Sequence, residues 1–348
     1  MHIATTITRL SIMLLAVAFI LGACGSTNAN TESASSTAQE EGADNATGGN
    51  APDGAQKSEG EAASDAPSET EDMPATRLYE HVSGETEIPT EPKRIVSDWY
   101  YGDMVALGVK PIGLTSYVLN NHPFIEPDGT EDIGSTPNLE KVLEMEPDLI
   151  VLYGHNDSYE EFSKIAPTIG VELYPDPINS VQVFGDILGK QEEAEQWIAD
   201  FEAKVEQAQQ KIAGHVAPDE TFTIFTVWRD ELRVYGDINM GGYILYKALQ
   251  LQPQERVLRD IIEGDAVNAG SPISREALPS FAGDHIILTV FDGEDTEQTL
   301  KDSAIWKSLE AVQNDRVYEI DFDLLYNEDP VAMEQQIDIL TDAITGAR

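Results

Sequence analysis

Short apolar runs recur along residues 76–348, each separated from the next by a stretch with helical spacing. In the first half the runs are Ile95–Ser97, Pro111–Leu114, Leu149–Leu152 and Val171–Tyr174. In the second half they are Thr221–Val227, Arg233–Tyr235, Ile286–Phe291 and Val317–Ile320. Strands of this length, alternating with helices over Asp103–Leu107, Leu139–Glu146, Gly242–Leu249, Ser274–Phe281, Ser303–Leu309 and Pro330–Ile344, predict two α/β lobes with mainly parallel sheets. Between them Ala194, Trp197, Ile198, Phe201, Val205, Ala208 and Ile212 recur at steps of three and four, the signature of an amphipathic helix. From about Lys190 to Ala213 it would be about 35 Å long. Gly214 stands where a left-handed cap is expected. Such a helix predicts a stiff strut, with lobes over 76–185 and 215–348 and the linking segment over 186–214.

The halves echo one another. Glu140 opens a helical stretch, and Asp148, eight positions on, precedes an apolar strand. Glu276 and Asp284 repeat the arrangement. A glutamate in a first helical turn also complements the positive end of the helix dipole, so spacing alone assigns neither Glu140 nor Glu276 a further role.

The chain start reads differently. Arg9 precedes the apolar segment Ser11–Gly22, too short to span a bilayer comfortably. Leu21-Gly22-Ala23-Cys24 then matches a lipobox, in which small residues admit the peptidase and the Cys24 thiol takes a diacylglycerol. Residues 1–23 are therefore expected to be a removed leader, with Cys24 as the lipidated first residue. Residues 24–75 carry almost no large apolar side chain, and 25–75 hold eleven acids against Lys57 alone. Such a composition cannot bury enough apolar surface to offset its ordering entropy, so it is expected to be a disordered tether. Its root-mean-square reach is about 40 Å. The protein is expected on the outer face of the cell membrane.

Charge narrows the functions. The 348 residues hold 63 acids and 21 bases, a net charge of −42. That excludes binding to nucleic acid, whose affinity comes from neutralising phosphates, and to anionic lipid through a basic patch. One cysteine excludes an internal disulfide or a Cys-rich metal site. The six histidines form no H-x-x-x-H pattern, and no nucleophile elbow, P-loop or dinucleotide fingerprint occurs. The expectation is a protein that is not an enzyme, holds no metal through its own side chains and carries no resident cofactor; an exported hydrolase or reductase is the contrasting class.

Pro92–Val96, Asp103–Gly113, Ile133–Ser135, Leu139-Glu140 through Pro147–Val151, Ala166–Thr168, Gly236-Asp237, Trp306–Leu309 and Arg316–Tyr318, following a lipobox, resemble the substrate-binding lipoproteins of ABC importers for ferric siderophores. The resemblance covers nearly all of 76–348. It implies two lobes bridged by one rigid helix, a shallow cleft between them, a monomer, and a partner permease. Glu140 and Glu276 would match the acids that dock each lobe on permease arginines.

In open α/β sheets ligands lie beyond the carboxyl ends of the strands. The loops there supply Trp99, Tyr100, Tyr117 and Tyr153 in the first lobe. In the second they supply Trp228, Arg229, Tyr235, Asn239, Phe291 and Tyr326. His122 and His155 also lie in these loops, where a lone histidine is more often only a loop residue. Rings with polar tips suit a partly exposed organic chelate. Few cations occur there, chiefly Arg229 and Arg233, which disfavours a polyanionic tris-catecholate and favours a ferric hydroxamate held by Arg229. Haem or cobalamin is the alternative ligand.

Overall fold

The computed structural model describes residues 75–126, 128–174, 176–264 and 270–347. The expected leader, Cys24 and residues 25–74 of the tether lie outside the described residues. Among those described, no helix is long and apolar enough to cross a membrane.

The described chain opens on an antiparallel hairpin, β1 (Thr76–His81) and β2 (Gly84–Pro89). The sequence pattern does not reveal it, because the hairpin is inverted. Arg77, Tyr79 and His81 face inward, while Leu78 is 63% exposed.

The first lobe is a wholly parallel sheet of β3 (Ile95–Ser97), β4 (Gly113–Leu114), β5 (Glu131–Asp132), β6 (Leu149–Tyr153) and β7 (Thr168–Val171), in the order β5-β4-β3-β6-β7. β3 and the first four residues of β6 are buried on both faces, which is why they read as unbroken apolar runs. β7 lies three residues earlier than the run Val171–Tyr174 suggests. Gly170 sits within it because a Cβ there would meet the Gly154 carbonyl at 2.5 Å.

The second lobe holds β8 (Thr221–Trp228), β9 (Glu231–Tyr235), β10 (Gln252–Pro253), β11 (Ser271–Ile273), β12 (His285–Phe291) and β13 (Val317–Glu319). The path is β11-β9-β8-β12-β13, with β10 beside the start of β8. β10, β8, β12 and β13 run parallel, and β9 and β11 add an antiparallel edge.

The echo between the halves has a physical cause. Asp148 accepts the backbone N–H groups of Lys93 and Arg94, at 2.7 and 2.9 Å, just ahead of β3. Asp284 accepts the N–H and hydroxyl of Thr221, both at 2.8 Å, at the start of β8. In each lobe an aspartate before one strand pins the start of its neighbour.

The strut is the helix Gln191–Ile212, 22 residues and about 33 Å long. Ala194 enters the first lobe's core, Phe201, Ala208 and Ile212 enter the second's, and Trp197 packs on both. The helix therefore belongs to both lobes. Gly214 follows the capping residue Ala213 but does not take the left-handed conformation expected of it. A second helix also joins the halves. Pro330–Thr345, at the chain's end, packs along the strut and against two first-lobe helices, Tyr101–Val105 and Pro177–Leu188. Two helices thus oppose relative motion of the lobes, where the sequence predicted one.

Candidate functional site

Three rings stand at the carboxyl ends of first-lobe strands. Trp99 follows β3, Tyr117 lies in the helix after β4, and Tyr153 ends β6. Trp99 stacks on Tyr117 (centroids 5.7 Å, planes 11° apart) and leans on Tyr153 at 6.1 Å. They remain 38, 43 and 49% exposed, so a face of each ring is available to a ligand. Ser97 sets the turn, its hydroxyl accepting the N–H groups of Trp99 and Tyr100.

The second lobe answers with a tighter ring cluster. Trp228 ends β8 and Phe291 ends β12, their centroids 4.6 Å apart. Phe322 and Tyr326, on the helix Phe322–Tyr326, extend the row through contacts of 4.8 Å (Phe291–Phe322) and 5.1 Å (Phe322–Tyr326). Tyr117 Oη lies 3.3 Å from Tyr326 Oη, so the two ring sets meet across the lobes. Arg229 occupies the first position of the two-residue β8–β9 turn at φ +56°, a conformation costly for a side chain. Its guanidinium sits 5.7 Å from the Phe291 ring centre, and among the described residues it forms no ion pair. Arg233 instead pairs with Glu231 and stacks over Trp228.

Below the rings is a cavity of about 100 Å³, walled by Trp99, Tyr117 and Tyr174 from one lobe and Asn239, Tyr326 and Asn327 from the other. It is too small to enclose a drug-sized ligand, which needs about 300 Å³ or more, so it forms the floor of the open groove. Its polar lining is acidic. His122 Nδ1 accepts the Phe124 N–H at 3.2 Å, so in the neutral ring Nε2 carries the proton and donates to Asp329 Oδ2 at 2.6 Å. Asp103, 5% exposed and bonded to the Ser180 hydroxyl, is pushed up to about 7 by burial and by the Asp329 charge. Glu328 accepts the Asn239 N–H and is pushed up to about 8, chiefly by burial, with Asp237 adding repulsion.

Glu328 has a consequence for stability. Its folded-state pKa lies above the ordinary value, so the folded protein holds that proton more tightly than the unfolded chain. The benefit is full at acid pH and is lost as pH rises through about 8. Glu328→Gln should therefore lose less stability than wild type between about pH 6 and 9, by about 2–3 kcal/mol. Denaturation with urea at both pH values checks this; parallel losses would refute it.

Two expected groove residues do not line it. Tyr100 is 1% exposed, its hydroxyl donates to the Val171 carbonyl at 2.5 Å, and its ring packs on Phe184. At the exit of β3 adjacent side chains part, Trp99 outward and Tyr100 inward. Tyr235 is 4% exposed, within the second lobe's core beside Met240. Asn239 reaches the cavity wall through a left-handed backbone, φ +62°. Asp329, Asp103 and Glu328 line the cavity although the sequence did not point to them, His122 lines it as more than the plain loop residue expected, and Phe322, 5% exposed, backs the second lobe's rings from the core. Glu140 and Glu276 are exposed in the first turns of Leu139–Glu144 and Arg275–Ala277. Neither is among the residues that wall the cavity. Among the described residues, no group of three or more His, Cys, Asp or Glu is placed to hold a metal ion.

Comparison with known proteins gives a consistent picture. The family model described as "Periplasmic binding protein" matches residues 130–324. Two proteins of Bacillus subtilis (strain 168), the iron(3+)-hydroxamate-binding proteins YxeB and FhuD, are 35% and 34% identical to the chain. The alignments cover 81% of this chain and 88% of YxeB, and 78% of this chain and 87% of FhuD. Among solved structures, an FhuD-fold periplasmic binding protein component of a ferrichrome ABC transporter from Bacillus subtilis superposes with a TM-score of 0.68 at 33% identity. That match covers 77% of this chain and 99% of the other.

Proposed function

The chain belongs to the periplasmic binding protein family, and from that premise we propose that it is the receptor of an ABC importer, capturing a ferric siderophore between its lobes and delivering it to the permease. The observation that carries this reading is the row of rings running from Trp99, Tyr117 and Tyr153 to Tyr326, Phe291 and Trp228 without a break at the lobe boundary. A partly exposed, ring-lined groove holds the organic rim of a chelate and leaves its metal untouched, so the protein binds without catalysing and needs no cofactor of its own. Lipid attachment at Cys24, a monomeric state and a place on the outer face of the membrane belong to the same reading.

The charge of the groove favours a hydroxamate chelate, neutral or cationic, over a trianionic catecholate. Asp103, Glu328 and Asp329 line the floor; the first two are partly protonated near neutral pH, yet they bring no positive charge, and with Arg233 paired to Glu231 the cation left beside the rings is Arg229. YxeB and FhuD are named for iron(3+)-hydroxamate binding. A guanidinium kept at a turn position that favours glycine is well placed to donate to hydroxamate oxygens. Haem gains no support from the cavity's histidine, because both ring nitrogens of His122 are already engaged.

Titration of the purified protein with ferrioxamine B or ferrichrome should quench its tryptophan fluorescence, and Arg229→Ala should weaken binding by about 1.5–3 kcal/mol, the worth of a charged hydrogen bond. Silence with every hydroxamate, catecholate, haem and cobalamin would remove the receptor reading. A catecholate that outcompetes both hydroxamates would remove only the ligand class.

A further inference from the structure

The three first-lobe rings follow or end three different strands, and one residue ties those stretches of chain together. Asp98 leaves β3 immediately before Trp99. Its Oδ1 accepts the backbone N–H of Tyr153 at 2.8 Å, and its Oδ2 accepts the side-chain amide of Asn156 at 3.0 Å. Its own carbonyl accepts the Thr115 hydroxyl at 2.8 Å, just ahead of the helix bearing Tyr117. The rings themselves meet only through a stacked pair at 5.7 Å and a tilted pair at 6.1 Å, contacts without a directional bond to fix their spacing. We propose that Asp98 is the positioning residue of the groove: its carboxylate fixes Tyr153 against the neighbouring Trp99, and its main-chain carbonyl holds the segment that leads to Tyr117, at the spacing a ferric chelate meets.

Chemistry makes the carboxylate hard to replace. Both of its oxygens face N–H donors, and neither donor can become an acceptor. One is a backbone N–H. The other is an amide that cannot flip, because Asn156 Oδ1 is occupied by the Ser158 N–H at 2.9 Å. A proton on Asp98, or an asparagine in its place, sets hydrogen against hydrogen and breaks one of the two ties. Burial pushes Asp98 up to about 6 against the pull of these same donors, so the tie is made or lost within an ordinary pH range. The phenol of Tyr100 lies near it, with Tyr153 facing that phenol in turn, His155 and Asp157 share the β6 exit loop, and no cation is among the groups that shift it.

The last step, from ring spacing to affinity, rests on the receptor reading, and the experiment separates the two. The full mature protein is titrated with ferrioxamine B, whose iron shell and single ammonium charge stay constant from about pH 5 to 8, and near-ultraviolet circular dichroism is recorded without ligand. Wild-type affinity should fall about tenfold on acidification through pH 6, as one charge-assisted hydrogen bond is lost. Asp98→Asn should already be about tenfold weaker at pH 8 and lose that part of the pH slope, keeping only what Asp103 and Glu328 contribute. Asn156→Ala, which spares the carboxylate, should weaken binding only a few-fold and keep a pH step, moved upward because the Asn156 amide helps to hold the Asp98 pKa down. Asp98→Asn with wild-type affinity and an unchanged pH profile overturns the proposal. If ferrioxamine B binds no form, the ligand assignment fails instead, and an unliganded ring spectrum unchanged in Asp98→Asn overturns the positioning role. If Asp98→Asn does not fold, unchanged affinity and spectrum in Asn156→Ala overturn it.

Discussion

Replacing Glu140 and Glu276 together by arginine is expected to abolish uptake of a ferric hydroxamate while leaving the chelate's affinity for the purified receptor within about twofold of wild type. Both side chains are exposed, and both lie in the first turn of the helix preceding a central strand, β6 in one lobe and β12 in the other. Asp148 and Asp284, each eight positions on, perform the same pinning of a neighbouring strand, so the two glutamates hold equivalent stations in a repeated unit. On the receptor reading, two equivalent exposed acids, one on each lobe, would present a two-point footprint to a basic permease surface. Charge reversal turns attraction into like-charge repulsion at both points, worth several kcal/mol in an interface. Either reversal alone should lower uptake by about tenfold or more. Uptake of labelled iron chelate by cells whose sole receptor is the double variant measures the effect; wild-type rates would end the docking assignment.

The legible parts of the molecule were those in which one physical demand fixed a local pattern. The strut was readable because a helix shared by two cores must keep Ala194, Trp197, Phe201, Ala208 and Ile212 on its buried side. β8 and β12 were readable because strands packed on both faces become runs of apolar and β-branched residues. The repeat of glutamate and aspartate was readable because each aspartate is a fixed number of residues from the helix start.

Elsewhere the demand was not local. The β1–β2 hairpin turns Leu78 outward and polar-tipped residues inward, so its pattern runs against the usual sign. The apolar stretch around β7 is long enough to admit several registers, and Gly170 selects one through its closeness to a carbonyl from a neighbouring loop. Trp99 and Tyr100 are adjacent rings of similar chemistry, and only the three-dimensional turn sends one to the groove. The acidic floor joins Asp103 and His122 near one end of the fold's sequence to Glu328 and Asp329 near the other. No spacing rule connects them, because the final helix returns to the first lobe only after the second is complete.

That returning helix supports the second large effect. Asp329→Ala is expected to destabilise the protein by about 2–4 kcal/mol, the combined cost of a lost helix cap and an orphaned buried donor. Asp329 Oδ1 accepts the Ala332 N–H at 3.1 Å, capping Pro330–Thr345, and Oδ2 accepts the His122 proton. His122 cannot turn its ring to escape, since Nδ1 is already held by the Phe124 N–H. Space is equally constrained, for a Cβ on Gly102 would overlap the Asp329 carboxylate. Asp329→Asn keeps the volume and can keep the cap, but its amide then meets the His122 N–H, so it should fall between wild type and alanine. Some of the loss returns through Asp103, whose raised pKa should drop once the neighbouring charge is gone. A double-mutant cycle with His122→Ala isolates the bridge, with an expected coupling of about 1–3 kcal/mol; strictly additive effects would show that Asp329 acts only as a cap. Because the bridge ties the first lobe to a second-lobe helix at the groove floor, its loss should also speed ligand release without altering any ring that touches the chelate. A rise in dissociation rate with an unchanged association rate is the kinetic form of that statement, since it is bond breaking between lobes, not encounter at the rim, that the bridge controls.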